Sequence, residues 1–259
     1  MCNFKSTITV SPSYKAIWES LGLRSVCSIS RHFIKEGIQN KTAVVVKPAR
    51  LFISESEALD VFYKQYEYQT PTWKFFGRPS KARREFTNYA HFSRLTIQCA
   101  DPIACGEERD RFGRLCRAFI LTRAVPNSET LIQFLSEGKA TTADRDSIRK
   151  QLANLMRLMH EAKFYHNDIY FRNILVSRNG DGLTQLSLID CPRGSYSTFL
   201  PISNHRQIKD IAAIDRDALK YCKRKDRLCF IKEYLKIDKL NNNSKKIISR
   251  IEYYRHNRW

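Results

Sequence analysis

The sequence predicts an α+β fold in two lobes: a β-rich N-terminal lobe over residues 1–122, a connector at 123–128, and a mainly helical C-terminal lobe over 129–259. Three observations carry this. Ala43-Val44-Val45-Val46 and Arg117–Thr122 are β-rich, and both lie in the first half. In the second half Ile148, Leu152, Leu155 and Met159 recur at a spacing of 4-3-4, one core-facing stripe of a long helix. The chain has 259 residues, is 42% hydrophobic and shows no internal repeat or low-complexity tract, so a sizeable core is within its means.

Taken in order, Ser13–Gly22 reads as a short helix, capped by Ser13 and ended by Gly22. A β-rich segment is expected from Val26 to Lys47, with Val26, Ile29 and Phe33 as its first apolar positions and Pro48 as its end. The continuous apolar run Ala43–Val46 suits a strand buried on both faces. Ser54-Glu55-Ser56-Glu57 has the form of a capping box, and Leu59, Phe62, Tyr63 and Tyr66 follow at helical spacing. A helix is therefore expected over Glu55–Tyr68, although Val61-Phe62-Tyr63 alone suits a strand. Prolines 71 and 79 with Gly77 mark a loop, and Ser80 is placed to cap a helix running to about Leu95. Leu131–Leu135 begins the helical structure that fills most of the remainder.

The stretch Tyr165-His166-Asn167-Asp168-Ile169-Tyr170-Phe171-Arg172-Asn173-Ile174-Leu175-Val176, answered by Leu188-Ile189-Asp190, holds the candidate chemistry. Asp168 and Asn173 are five positions apart. An apolar strand follows Asn173, an Asn-Gly/Asp-Gly turn covers 179–182, and a second apolar strand leads to Asp190. A hairpin of this kind brings Asn173 and Asp190 to one side. Their hard oxygen atoms suit Mg2+. Asp168 is placed to take a proton from an acceptor hydroxyl. This is the order of parts in a kinase catalytic segment, where positioning and charge neutralisation carry phosphoryl transfer.

Such a site also needs a cation on the nucleotide phosphates and a carboxylate to hold it. Val44-Val45-Val46-Lys47 has the shape of a buried strand that presents one lysine, so Lys47 is the expected cation and Glu85 its partner. Lys64 is the rival, nearer to Glu85 in sequence, but its segment reads better as a helix. Arg123 and Val125, in the connector, are the expected further nucleotide contacts. No Gly-x-Gly-x-x-Gly loop precedes Lys47, so phosphate cover is expected from another turn, such as Lys35-Glu36-Gly37.

These runs, with Ser80-Lys81-Ala82-Arg83-Arg84-Glu85-Phe86 and Gln207-Ile208-Lys209-Asp210-Ile211-Ala212, resemble the bacterial lipopolysaccharide kinase family over roughly residues 20–236. That family includes enzymes that phosphorylate core-oligosaccharide heptose or Kdo sugars. The resemblance implies a protein-kinase-like fold, ATP with Mg2+, and a sugar hydroxyl as acceptor. It implies Asp168 as base, Lys47 with Glu85 on the phosphate side, Asn173 and Asp190 as metal ligands, and His166 as structural support. Asp210 would sit on a helix and brace the catalytic loop. Two departures stand out. Asn167 occupies a position where such enzymes more often carry Arg or Gly. Asp190 is followed by Cys191-Pro192-Arg193-Gly194 rather than Phe-Gly, which speaks against a Phe-driven switch.

The net charge of +19 points to a polyanionic partner. One basic cluster is Lys74, Arg78, Lys81, Arg83 and Arg84, interleaved with Trp73, Phe75 and Phe76. The other runs from Lys223 to Arg258 with Tyr253, Tyr254 and Trp259. Rings beside cations suit an anionic membrane surface better than nucleic acid if the acceptor is a lipid-linked saccharide. No run is apolar enough to span a bilayer, and Met1–Lys5 opens no signal peptide, so a cytoplasmic protein at the inner-membrane face is expected. The eight cysteines form no Cys-x-x-Cys pair and read as reduced thiols.

Overall fold

The computed structural model describes residues 4–33, 42–52 and 58–257. It has an α+β fold, divided into two compact units: residues 1–90 with 100–124, and residues 91–99 with 125–259.

The first unit is built on a five-stranded antiparallel sheet. Its strands are β1 (Lys5–Val10), β2 (Thr42–Phe52), β3 (Ala58–Thr72), β4 (Pro102–Arg109) and β5 (Leu115–Arg123), in the order β1-β4-β5-β3-β2. Helices α1 (Lys15–Ser20) and α2 (Val26–Phe33) cover one face. There Trp18, Val26, Ile29, Tyr63, Ile103 and Phe119 pack into one buried cluster. Gly106 is needed in this core, because a Cβ there would lie 2.4 Å from the Phe119 ring. Helix α3 (Lys81–Arg94) begins at the expected cap, where the Arg83 amide donates to Ser80 Oγ over 3.1 Å.

Several expectations are corrected here. Val26–Phe33 is a helix: Val26, Ile29 and Ser30 are buried along one of its faces while Arg31 and His32 are exposed. Pro48 does not end β2, which runs on to Phe52 opposite β3. The short helix starts at Lys15, with Tyr14 at its cap position and no side-chain cap. The expected helix over Glu55–Tyr68 is strand β3. Its apolar residues at helical spacing do not share a face: Tyr63 is fully buried, whereas Phe62 is 42% exposed. Side chains alternate instead, and Tyr63, Gln65 and Glu67 are hydrogen-bonded in a row at period two. The capping box at 54–57 and the turn at Lys35–Gly37 lie outside the described residues, as do Arg258 and Trp259.

The second unit is mainly helical. A short strand β6 (Ser128–Thr130) leads into α4 (Leu131–Ser136), whose start is closed by a capping box between Thr130 and Gln133. Helix α5 (Thr142–Glu161) buries Ile148, Leu152, Leu155, Met156 and Met159, each contributing roughly 1.5–3 kcal/mol. Strand β7 (Phe164–Tyr165) precedes the catalytic stretch. Strands β8 (Ile174–Arg178) and β9 (Thr184–Leu188) form the expected hairpin, and β10 (Ser195–Tyr196) pairs with β7. Helices α6 (Leu200–Tyr221), α7 (Arg224–Leu235) and α8 (Asn242–Asn257) complete the unit. Among the described residues no helix is long and apolar enough to cross a membrane.

Candidate active site

The second unit holds Asp168 in a loop braced at both ends. Asp210 on α6 accepts the backbone N–H groups of His166 (2.8 Å) and Asn167 (2.9 Å). Asp217, two turns further along the same helix, accepts the N–H of Phe171 (2.8 Å). Two carboxylates spaced i, i+7 share a helix face, so one rigid element fixes both flanks of the loop. Asp210 is buried, and its Oδ2 is also approached by His160 Nε2 at 3.4 Å. The Asp168 carboxylate is half-buried and has no hydrogen-bond partner among the described residues. It is the loop's available acceptor for a proton.

Asn173 is buried, and its Nδ2 donates to the Asp168 carbonyl over 2.9 Å. That bond fixes the amide and leaves Oδ1 as an oxygen that could face a metal. Ile189 N–H donates to the Asn173 carbonyl (3.0 Å), so the hairpin register sets Asp190 beside Asn173. Asp190 has φ +58°, a left-handed conformation uncommon outside glycine, Asn and Asp. No group of three or more His, Cys, Asp or Glu side chains forms a metal cluster among the described residues. Mg2+ needs none: it takes one or two carboxylates, keeps several waters and shares substrate phosphates, so an amide oxygen and one carboxylate fit it.

His166 is fully buried and stacked on Phe92, with centroids 6.1 Å apart and planes 17° off parallel. Neither ring nitrogen has a partner among the described residues, and burial pushes its pKa below the ordinary imidazole value. It is a neutral packing element under the loop. Asn167, at φ +61°, reaches with Nδ2 to the carbonyls of Tyr165 (3.0 Å) and Arg193 (3.1 Å) and to Ser195 Oγ (3.1 Å). The departure noted at this position is thus a tie from the loop to the segment after Asp190. Cys191 and Pro192 are buried there and Arg193 is exposed.

The first unit holds the charge pair. Lys64 Nζ on β3 lies 3.1 Å from Glu85 Oε2 on α3, with the side chains 13% and 3% exposed. Tyr66 and Tyr89 donate their hydroxyls to the same carboxylate, over 3.3 and 3.1 Å. Removing one member of a pair this buried costs roughly 3–5 kcal/mol. Glu85 is thus paired with Lys64, the rival named from the sequence, while the Lys47 side chain, the expected partner, lies outside the described residues. Lys64 and Tyr66, two residues apart on β3, occupy one face of the strand and both reach Glu85. In the connector, Arg123 N–H donates to the Asp101 carbonyl (2.8 Å), and the Val125 carbonyl accepts from Ser128 Oγ (2.7 Å).

The family model for the lipopolysaccharide kinase (Kdo/WaaP) family matches residues 64–234, about two-thirds of the chain. The chain belongs to this family. It is also similar to a 3-deoxy-D-manno-octulosonic acid kinase from Vibrio cholerae serotype O1, with 27% identity over 104 residues, 40% of this chain and 42% of that protein. The match thus spans less than half the length of that relative. The kinase-like α+β fold read from the sequence is that of the Kdo/WaaP family. The family span opens at Lys64 and takes in Glu85, Asp168, Asn173, Asp190 and Asp210, but not Lys47. Asp217 is the loop-bracing residue that sequence reasoning missed. Its signal was present in the seven-residue spacing from Asp210 within one helical pattern.

Proposed function

We propose that this Kdo/WaaP-family protein is an ATP-dependent kinase that phosphorylates a sugar hydroxyl of a lipopolysaccharide-core-like glycolipid. One observation carries the reading. The half-buried Asp168 carboxylate, without a hydrogen-bond partner among the described residues, sits in a loop whose two flanks are fixed by Asp210 and Asp217, with the Asn173 amide hydrogen-bonded to its backbone.

Asp168 orients the sugar hydroxyl and accepts its proton as the new oxygen–phosphorus bond forms and the bond from the γ-phosphorus to the leaving ADP oxygen breaks. Lys64, held by Glu85, neutralises charge on the nucleotide phosphates. Asn173 and Asp190 are the residues that would hold Mg2+, which when bound offsets charge on the phosphate oxygens. Arg123 and Val125 are assigned to the nucleotide contact. The positively charged chain and its exposed rings support work at the anionic cytoplasmic face of a membrane, where a lipid-linked acceptor resides.

The test is transfer of label from γ-labelled ATP with Mg2+ to Kdo-bearing and heptose-bearing glycolipids, with wild type beside Asp168→Ala. The expected result is label in a glycolipid with wild type and a loss of about 10²–10⁴-fold in the variant, with nucleotide still bound. Label entering only protein, or entering glycolipid equally with both, would overturn the assignment.

A further inference from the structure

We propose that the first unit carries a membrane-anchoring face, formed by the turn after β3 and the tip of the β4–β5 hairpin, and that its partner is the anionic headgroup layer of a bilayer. The inference rests on the peripheral-membrane part of the reading above and names the surface that would serve it.

Three large rings stand in solvent there: Trp73 is 58% exposed, Phe76 56% and Phe112 51%. They form one ordered group. The Trp73 and Phe76 centroids are 5.1 Å apart. The Arg114 guanidinium lies 5.7 Å from the Trp73 ring and 5.3 Å from the Phe112 ring, joining the two segments. Arg111 lies 4.6 Å from the Phe112 ring, and Lys74 is exposed beside Trp73.

The framework beneath is fixed. Asp110 accepts from Arg114 Nε (2.7 Å) and from the backbone N–H of Phe112 (3.0 Å), closing the hairpin tip. The single guanidinium of Arg109 donates to the carbonyls of Phe75 and Arg78 (both 2.8 Å) and of Gly113 (3.1 Å), tying the tip to the turn. Gly113 has φ +82°, and a Cβ there would lie 3.2 Å from the Phe76 ring. Glycine takes this conformation without strain, and any side chain there would press on the Phe76 ring.

Aromatic rings with cations between them match the chemistry of a headgroup layer: ring edges enter the interface while guanidinium and ammonium groups meet anionic lipid. The chain's charge of +19 is complementary to that surface. A nucleic-acid platform would need open ring faces for base stacking. Here Arg114 already lies against Trp73 and Phe112, which takes one side of each ring from a stacking base.

The test is sedimentation of the full chain with vesicles of phosphatidylethanolamine and phosphatidylglycerol, beside phosphatidylcholine alone, without nucleotide. Wild type is expected to bind the anionic vesicles at least about tenfold more tightly than the neutral ones. The combined variant Trp73→Ser/Phe76→Ser/Phe112→Ser, and separately Lys74→Glu/Arg111→Glu, are each expected to weaken binding about tenfold or more. All of these side chains are exposed, so thermal melts should match wild type. Transfer to detergent-dispersed glycolipid should match it too, so failure of the kinase reading would show as absent transfer and not as lost sedimentation. Variants that bind like wild type would overturn this face as the anchor and leave the membrane reading standing. A wild type that ignores both vesicles would overturn both. An RNA oligonucleotide bound more tightly than vesicles, and lost in the same variants, would overturn the lipid assignment.

Discussion

At the scale of residues, the charge pair and the proton acceptor are held by different means. Glu85 is held by Lys64 and two tyrosine hydroxyls, so its charge is fixed in place with little solvent. If Lys64 neutralises the transferring phosphates as proposed, Lys64→Met should lower kcat by about 10²–10³-fold. Lys47→Met should stay within about threefold of wild type if Lys64 is the cation on the phosphate side. Steady-state kinetics on the two variants side by side decide between the lysines. A larger effect at Lys47 would return the assignment to the residue favoured by the sequence.

Among the elements, α6 does the most to shape the site. Its Asp210 accepts two buried backbone N–H groups, which no other described acceptor takes. Asp210→Ala should cost about 3 kcal/mol in urea denaturation, since both donors lose their partner. Asp210→Asn, which keeps one acceptor oxygen, should lower kcat while leaving KM for ATP near wild type. A variant equal to wild type in kcat would make Asp210 a structural brace only. Much of this half was legible in advance. The loop, the hairpin turn and the stripe on α5 are local patterns, each written within about a dozen consecutive residues. The first unit was less legible for a physical reason. Strand β3 bonds to neighbours on both sides, and its polar residues are satisfied by partners far away in sequence, as Glu67 is by Arg117. Its apolar residues then mimic helical spacing by chance. Strands β1 and β4 went unread because β4 carries Gly106 and buried Glu107 and Glu108 where an apolar run was sought.

At the scale of the whole molecule, 45 basic residues against 26 acidic ones set the long-range field. The Debye length falls from about 10 Å at 0.1 M salt to about 3 Å at 1 M. Binding to anionic vesicles should therefore fall by at least about tenfold across that range, read by sedimentation. Binding that held constant would assign the attachment to the exposed rings alone.

The Asn167 tie responds differently. A neutral amide joins the catalytic loop to the segment after Asp190 through two carbonyls and a hydroxyl. None of these four groups titrates near neutrality, and none is screened by ions. A kinase that closes this joint with arginine and a phosphate can be switched by adding or removing the phosphate. A joint of neutral groups offers no such handle. If the protein is the glycolipid kinase proposed above, control over its output passes from this joint to encounter, to whether protein and acceptor share a surface at all.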